Sequence, residues 1–324
     1  MNIIHIEISE SIYVVILKLI REKYMLNKIV KIIKNPKKVI IFLSSRGLIK
    51  YDDRKYLEYV YKEHMGKNLN LDNPKTFNEK LQWLKLNNRN NMYTKLVDKY
   101  EVREYVSKVI GSNYLIPLLG VFDSYKEIDF DKLPNQFVLK LTHDSGTVII
   151  CKDKTKLNRK QTISKLKKGL KRKYFYLYRE WPYKNVKPRI IAEKYMKDNN
   201  SSVLNDYKFY CFNGEPKMMF IITERGNDPK INFFDMDFNE INLHQGFKKG
   251  EKKLEKPKKF DEMIKLARKL SYGIPHVRVD FYIINGKVYF GELTFFDSAG
   301  LEKFEPEKYD EILGSYIDLN KIKK

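Results

Sequence analysis

Two acidic residues near the C-terminal end lie in short apolar runs whose pattern predicts a β-hairpin. The segment His276–Phe296 reads HVRVDFYIINGKVYFGELTFF, with Asp280 in the first run, Glu292 in the second and Asn285-Gly286 between them. Side chains alternate between the two faces of a strand, so Arg278 and Asp280 share a face and the intervening valine takes the other. Two carboxylates brought together on such a face would be able to share a metal ion.

The length of the turn decides whether Glu292 joins that face. A two-residue loop in regular register would pair Asp280 with Gly291 and send Glu292 to the opposite side. A three-residue loop, 284–286, would pair Arg278 with Glu292 and place Asp280 diagonally from it on the same side. We predict the three-residue loop, because the alternative points a lone carboxylate into the core. A surface hairpin with solvated charges is the other interpretation.

A second group of residues has the composition of an anion site. Lys140 stands in the middle of a predicted strand, 136–142, and the polar turn Ser145-Gly146-Thr147 follows. A lysine between apolar neighbours is costly to bury unless it meets an anion, and the amides of such a turn are able to cap a phosphate. Neither GxxxxGK[ST] nor GxGxxG is present, so this is not a P-loop or a dinucleotide motif. An edge-strand lysine that reaches out to solvent is the alternative.

A third candidate is Glu193, which closes the apolar strand pattern 189–196. The end of a strand offers backbone donors and acceptors to the edge of an adenine ring, and the carboxylate could accept from an amino or hydroxyl group. The alternative is a surface glutamate at the end of a strand.

Charge and composition limit the classes of function. The chain has 324 residues, 43% of them hydrophobic and 14% aromatic, which is typical of a globular protein with two domains or lobes. Its net charge of +22 favours a polyanionic partner such as nucleic acid, nucleotide, an anionic membrane or an acidic glycan. A general bias of the chain toward lysine would give the same charge without any such partner.

The compartment is predicted to be the cytoplasm. The two cysteines, Cys151 and Cys211, provide neither a disulfide framework nor a zinc cluster. No run reaches the roughly 18 apolar residues of a membrane span, and the N-terminus lacks the features of a secretory signal. Residues 1–50 alternate apolar and basic blocks, which predicts either peripheral contact with an anionic membrane or an ordinary docked helix.

The predicted elements indicate an α+β fold. Thr76 and Glu79 have the spacing of a capping box at the start of a helix. A longer helix is predicted over 93–109, with Lys99 on one side, and another over 260–271. Strands and hairpins fill most of the region between them, and strands mixed with helices in this way are typical of the α+β class.

The order of these pieces resembles the ATP-grasp superfamily, and more narrowly its TupA-like branch, which is found among polysaccharide biosynthesis proteins. The resemblance extends from about Asn73 to Leu301, and the segments FVLKLTHDSG, DYKFYCFNGEPK and HVRVDFY…GELTF carry it. It implies two α+β lobes holding ATP between them, with a helical N-terminal extension. The implied divisions are 1–72 for the extension, 73–135 for an N-terminal lobe, 136–190 for the small lobe and 191–324 for the large lobe with a C-terminal tail.

The resemblance also implies a role for each candidate residue. Lys99 and Lys140 would hold the nucleotide phosphates, and Ser145, Gly146 and Thr147 would form the small loop that closes over them. Glu193, with the backbone around Ala192 and Lys194, would receive adenine. Asp206 would bind ribose, and Lys208 is counted with the nucleotide-binding residues.

The catalytic end of the site follows in the same way. Asp280 and Glu292 would be the Mg²⁺ ligands, and Arg278, with Lys140, would steady the transferred phosphate. Thr294 stands where the superfamily usually has asparagine as a further metal ligand, and a neutral hydroxyl is a weaker ligand for Mg²⁺.

The implied function is that of an ATP-dependent carboxylate–amine ligase that works through an acyl phosphate. Likeness to the family further suggests an amino acid or other amine and a uronic acid of a surface polysaccharide as substrates. His143 and His276 are candidates to take the proton of the amine, or else structural residues.

Two other classes of function have partial support in the sequence. A glycosyltransferase would need a DxD motif, and Asp235-Met236-Asp237 has that form. A basic nucleic-acid-binding protein would fit the charge, but no helix-turn-helix, zinc or RNP-like pattern is present, so we expect no nucleic acid partner.

Overall fold

The computed structural model describes residues 36–199, 204–224 and 228–322. The helices are α1 (Pro36–Ser44), α2 (Asp53–Met65), α3 (Phe77–Asn87), α4 (Asn91–Val97), α5 (Val102–Val109), α6 (Arg159–Leu170), α7 (Phe175–Tyr178), α8 (Phe260–Ser271) and α9 (Lys308–Ser315). The strands are β1 (Leu118–Phe122), β2 (Phe137–Leu141), β3 (Val148–Cys151), β4 (Ile190–Lys194), β5 (Asp206–Phe212), β6 (Glu215–Thr223), β7 (Lys230–Phe234), β8 (Glu240–Ile241), β9 (Lys248–Lys249), β10 (Val277–Ile284) and β11 (Lys287–Thr294).

The smaller sheet has four antiparallel strands in the order β1-β4-β2-β3. Alternate residues of β2 face its core, where Leu139 and Leu141 are fully buried with Leu166 of α6. Because β1 and β4 belong to this sheet, its strands come from residues 118–194. This range extends beyond the predicted small lobe, 136–190, at both ends.

The larger sheet runs β11-β10-β5-β6-β7-β8, and β9 pairs with β7. Helix α8 covers it with an apolar face that includes Met263, Ala267 and Leu270, each fully buried. The sequence predicted this helix over the same residues. The prediction was possible because its apolar residues recur with the 3.6-residue period of an α-helix. Together the two sheets and their helices give the predicted α+β class.

The helices before the small sheet differ in part from expectation. The capping box of α3 is confirmed, because the Thr76 hydroxyl accepts from the Glu79 amide and the Glu79 carboxylate accepts from the Thr76 amide. The predicted single helix over 93–109 is wrong, since it divides into α4 and α5. At the break, Asp98 accepts from the amides of Tyr100 at 2.8 Å and Glu101 at 3.2 Å. An aspartate that bonds the following amides competes with a continuing helix.

The N-terminal helices are held by one buried arginine. Arg179 donates to Asp53 at 2.7 Å, also bonds Ser44, and stacks on the Tyr56 ring at 3.8 Å. No helix of the described residues is long and apolar enough to cross a membrane. The predicted basic helical region lies mostly in residues 1–35, outside the described residues.

Candidate active site

The hairpin of β10 and β11 brings its two acids face to face, by a route that differs from the prediction. The three-residue loop is wrong: Ile284 pairs with Lys287 across the two-residue turn, in which both residues have positive φ. A bulge then shifts the register, so that Asp280 pairs directly with Glu292 and Gly291 is the extra residue. A Cβ at Gly291 would lie 3.0 Å from the Asp280 carbonyl oxygen, so the close approach favours glycine.

Arg278 joins the two acids. Its guanidinium donates to both Asp280 oxygens at 2.7 Å, to Glu292 Oε1 at 3.4 Å and to Thr294 Oγ1 at 3.1 Å. Lys208, from the neighbouring strand β5, also pairs with Asp280. Burial alone would raise the pKa of the Asp280 carboxyl, but Arg278 and Lys208 outweigh burial and lower it. Asp280 is therefore an anion in the folded protein.

Asp297 belongs to this network and was missed in the sequence. It pairs with Arg278, and its other oxygen accepts from the Tyr210 hydroxyl at 2.5 Å and the Gln245 amide at 3.3 Å. The signal was its position directly after Phe295 and Phe296, because an acid that follows a buried aromatic run needs a buried partner.

The turn that carries Asp297 is held by polar side chains of α3. Ser298, Ala299 and Gly300 have φ values of 46°, 56° and 61°, a left-handed run that L-residues rarely adopt. Gln82 donates to the carbonyls of Ala299 at 3.1 Å and Gly300 at 2.7 Å. Lys85 donates to the Ala299 carbonyl at 2.8 Å. These bonds offset part of the strain in the turn.

The small sheet faces the hairpin with its own charged residues. Lys140 pairs with Glu193 Oε2 at 2.7 Å, and Arg103 approaches Glu193 Oε1 at 3.3 Å. Lys99, at the break between α4 and α5, donates to the Asp144 carbonyl at 2.6 Å. Burial lowers the pKa of Lys99.

These residues line one cleft between the sheets. Two adjoining sections of about 250 and 300 Å³ share Lys140, Val148, Glu193, Asp206 and Tyr282, and together they fall within the range of small-molecule sites, roughly 300–1,000 Å³. The predicted site residues that line the cleft are Lys99, Lys140, Ser145, Gly146, Glu193, Lys194, Asp206 and Glu292.

The other predicted residues lie behind this lining. Thr147 is buried and donates from its hydroxyl to Asp144 at 2.5 Å. Lys208 lies 3.7 Å from Asp206, which connects the wall of the cleft to Asp280. Ala192 is fully buried in β4, an inner strand of the small sheet, and the Lys194 amide donates to the Pro117 carbonyl at 2.9 Å.

The hairpin offers Mg²⁺ two carboxylate donors. The described residues contain no group of three or more acidic, histidine or cysteine side chains able to hold a metal ion. Asp280 and Glu292 nevertheless each lie within 3.4 Å of the same Arg278 nitrogen. Mg²⁺ is usually held by one or two carboxylates together with substrate phosphates, and this pair fits that requirement.

Two alternative sequence signals have structural explanations. Asp235 of the DxD pattern accepts from the amides of Asp237 at 3.0 Å and Asn239 at 2.7 Å, so it shapes the turn after β7. His276 is buried against Phe77 and Phe212, each with a ring centroid 4.8 Å away. Burial lowers the pKa of His276 to about 3, which keeps the imidazole neutral. The second histidine candidate, His143, is also buried, and burial lowers its pKa as well.

Comparison with known proteins gives a family match over most of the chain. The model of the family described as TupA-like ATPgrasp matches residues 79–318. No curated protein matches the sequence significantly.

Solved structures show more distant likeness. D-alanine–D-alanine ligase from Bacillus anthracis has 17% identity and a TM-score of 0.41, covering 71% of this chain and 70% of that one. The Helicobacter pylori enzyme of the same name has 13% identity and a TM-score of 0.37, covering 69% of this chain and 61% of that one. The ATP-grasp ligase PsnB, complexed with minimal precursor, Mg and ADP, has 10% identity and a TM-score of 0.37, covering 74% of this chain and 66% of that one.

Proposed function

Because the chain belongs to the TupA-like ATP-grasp family, it is an ATP-dependent carboxylate–amine ligase, and we propose that it joins an amino acid or other amine to a uronic acid of a surface polysaccharide or its precursor. The observation that supports activity most directly is the cleft itself. Lys99 and Lys140 line it together with Glu292, and Asp280 pairs directly with Glu292 in the hairpin behind this lining. The substrate half of the proposal rests on likeness to the family and agrees with a net charge of +22, which favours an acidic glycan.

The nucleotide would lie along the cleft between the two sheets. Lys99 and Lys140 would contact its phosphates, and the exposed turn at Ser145 and Gly146 would close over them. The ion pair of Lys140 with Glu193 keeps both charges satisfied before a phosphate arrives. Glu193 and Lys194 would meet adenine, and Asp206 the ribose.

Asp280, Glu292 and Thr294 would hold Mg²⁺. The ion would neutralise charge on the phosphates as the terminal phosphoryl group moves to the carboxylate. Arg278 is oriented by Asp280 and contacts Glu292, so it would stand beside the same phosphoryl group and offset its charge. This chain supplies positioning and charge, and the reaction needs no protein nucleophile.

Nucleotide turnover with defined acids and amines tests the proposal. We expect ADP formation to require both a uronic acid, such as glucuronate or galacturonate, and an amino acid. The mass of the sugar should increase by the mass of the amino acid less one water. Asp280→Asn should abolish it. Asp235→Asn is the matched control, because Asp235 lies in a turn of the large sheet, and should retain activity.

Two outcomes would count against the proposed substrates. ADP formation that no uronic acid stimulates would exclude them, while leaving the family assignment intact. Transfer of sugar from a UDP-sugar without ATP, lost in Asp235→Asn, would favour a glycosyltransferase instead.

A further inference from the structure

Helix α6 and the turn that follows it carry a dense positive charge that no nearby acid in the sequence offsets. Residues 159–173 contain eight lysines and arginines, and no acidic residue occurs from 154 to 179. All eight basic residues are exposed. The other lysine-rich stretch, 248–259, is interrupted by Glu251 and Glu255. The charge of 159–173 is therefore a local feature and not only a share of the overall excess of lysine.

Three of these residues, Lys160, Lys167 and Lys171, form a lysine stripe along the outer side of the helix. Spacings of seven and four residues place them on one face of a helix with 3.6 residues per turn. Lys171 directly follows α6 and keeps right-handed helical dihedral angles. The ends of the stripe are about 16 Å apart at a rise of 1.5 Å per residue. The buried residues of the helix lie on its other side: Thr162, Leu166 and Gly169.

The basic side chains of this segment divide into those that bind within the chain and those that do not. Arg159 pairs with Asp131 at 2.5 Å, Lys165 donates to a carbonyl of β3 at 2.8 Å, and Arg172 is also in an ion pair. Within the part of the chain that the structure describes, the remaining five ammonium groups form no hydrogen bond or ion pair: Lys160, Lys167, Lys168, Lys171 and Lys173. These groups are open to an anion from outside the chain.

The C-terminal end of the lysine stripe lies beside the mouth of the cleft. Arg172 pairs at 3.4 Å with Asp144, which directly precedes the turn 145–147. A Cβ at Gly169 would lie 3.3 Å from Thr147 Oγ1, so α6 packs closely on the same turn. Two residues of this turn line the cleft. A long molecule lying along the stripe would therefore reach the entrance of the cleft.

The chemistry of this surface favours an acidic polysaccharide over a membrane. An amphipathic helix that binds a bilayer inserts an apolar face. Here Leu166 packs into the core of the small sheet, and among the described residues 159–173 no large apolar side chain is exposed. Single exposed ion pairs are weak, so the partner must offer several charges together. A polymer of uronic acids offers one carboxylate on each sugar unit.

We propose that the lysine stripe binds the acidic polysaccharide acceptor and holds it across the mouth of the cleft. This inference rests on the proposed function and adds the surface that recognises the glycan beyond its reacting unit. The stripe contributes no group to the reaction, so it acts on polymeric acceptors and leaves single uronic acids unaffected. Because the contacts are exposed, salt screens them.

Binding of polygalacturonate to the full chain tests the surface without turnover. A stripe variant, Lys160→Gln/Lys167→Gln/Lys171→Gln, removes three charges and keeps residues that form helices well. We expect its dissociation constant for polygalacturonate to rise about tenfold at low ionic strength, as expected for the loss of three exposed ion pairs. The difference from the unmodified chain should shrink as salt is added. Glutamate at the same three positions should weaken binding further.

The matched control removes the same charge from the other lysine-rich stretch. Lys252, Lys253 and Lys258 are exposed in that stretch, where acidic residues are interspersed. Replacing these three lysines by glutamine should change the dissociation constant by no more than about twofold. The two triple variants have equal net charge, so a difference between them reports on the position of the lysines.

Kinetics with two acceptors give a second readout. With polygalacturonate as the acceptor, the stripe variant should show a KM about tenfold higher and an unchanged kcat, because only binding of the polymer is lost. With galacturonate alone, both constants should stay within about twofold of those of the unmodified chain. A variant that was merely misfolded would lose activity with both acceptors.

The outcomes separate this inference from the proposed function. Failure of the unmodified chain to bind polygalacturonate, or equal dissociation constants in the two triple variants, would overturn the lysine stripe. So would binding that is lost in the stripe variant but is specific to vesicles of phosphatidylcholine and phosphatidylserine, or to double-stranded DNA. Binding of polygalacturonate through the stripe, with no ADP formed from any uronic acid, would exclude the proposed substrates and leave the surface in place.

Discussion

The two walls of the cleft hold their charges in different ways. In the wall formed by the large sheet, Asp280 is 1% exposed and its carboxylate is shared by Arg278 and Lys208, while Asp297 holds Arg278 from the other side. In the wall formed by the small sheet, the Lys140 side chain is 22% exposed and has Glu193 as its ion-pair partner.

The difference suggests a division of work. The buried network in which Arg278, Asp280 and Asp297 each have several partners resists movement, because shifting one member leaves another unsatisfied. Lys140 has one ion-pair partner beside an exposed turn and exchanges it for another anion at little cost, while Arg103 stays within reach of Glu193. The large sheet is therefore suited to fix the reacting groups, and the small sheet to adapt to the nucleotide as it enters and leaves.

The largest expected effect comes from breaking the buried wall. Asp280→Asn should lower the rate of ADP formation by at least about 10³-fold, because the proposed metal ligand and the anchor of Arg278 are lost together. It should also reduce the free energy of unfolding by on the order of 3 kcal/mol, since Lys208 and Arg278 stay buried with less opposing charge. Steady-state kinetics and urea unfolding test both, and activity within tenfold of the unmodified chain would contradict the role of Asp280.

A change in the wall formed by the small sheet should affect nucleotide binding more than stability. Lys140→Met is expected to raise the KM for ATP by about 10–100-fold, which corresponds to loss of one charged hydrogen bond to phosphate. The free energy of unfolding should change by less than about 1 kcal/mol, because the ion pair is partly solvated. A large loss of stability with an unchanged KM would show that Lys140 belongs to the rigid part of the molecule.

Acid should weaken the buried wall through His276. Its pKa is lowered to about 3 in the folded protein and is about 6.5 when unfolded, so the stability that it contributes is present above pH 6.5 and is lost as the pH falls toward 3. Between pH 7.5 and pH 5, this should remove up to about 2 kcal/mol. His276→Phe keeps a ring between Phe77 and Phe212 and should show a smaller loss. Equal pH dependence in the two proteins would exclude His276 as the cause.

The smallest effects should come from the turns. Gly286→Ala places a side chain at φ 74° in the hairpin and should reduce the free energy of unfolding by about 1 kcal/mol without changing the KM for ATP. Gly146 has φ 96° in the turn 145–147, which we propose closes over the phosphates. Gly146→Ala should therefore raise the KM for ATP. If Gly146→Ala and Gly286→Ala changed the KM for ATP equally, the contrast between the two walls would be weakened.

The sequence was sufficient for the elements with strong periodicity. Helix α8 and the capping box of α3 followed from local pattern, which acts over a few residues. The division of α4 from α5 did not follow from local pattern, because the spacing of apolar residues continues across the break. Asp98 marked the break, since an aspartate that bonds the next amides ends a helix.

Site residues that act through tertiary contacts were harder to find. The hairpin acids were recognised from their types and spacing, but the bulge at Gly291 depends on close approach of a second strand. Gln82 and Lys85 hold a turn more than two hundred positions away in the chain. Their signal was weak: polar groups beside Leu81 and Leu84 on the buried side of a helix.

The single unpaired residue in the hairpin has a consequence for how this chain tolerates change. Because Gly291 is the extra residue, deleting it would remove the bulge and leave Glu292 opposite Asp280 in regular register. Deleting a paired residue such as Val288, with the bulge kept, would instead set Glu292 opposite Phe281 and on the other face of the sheet. The meeting of the two acids therefore depends on the number of paired residues between the turn and the bulge as well as on the acids themselves.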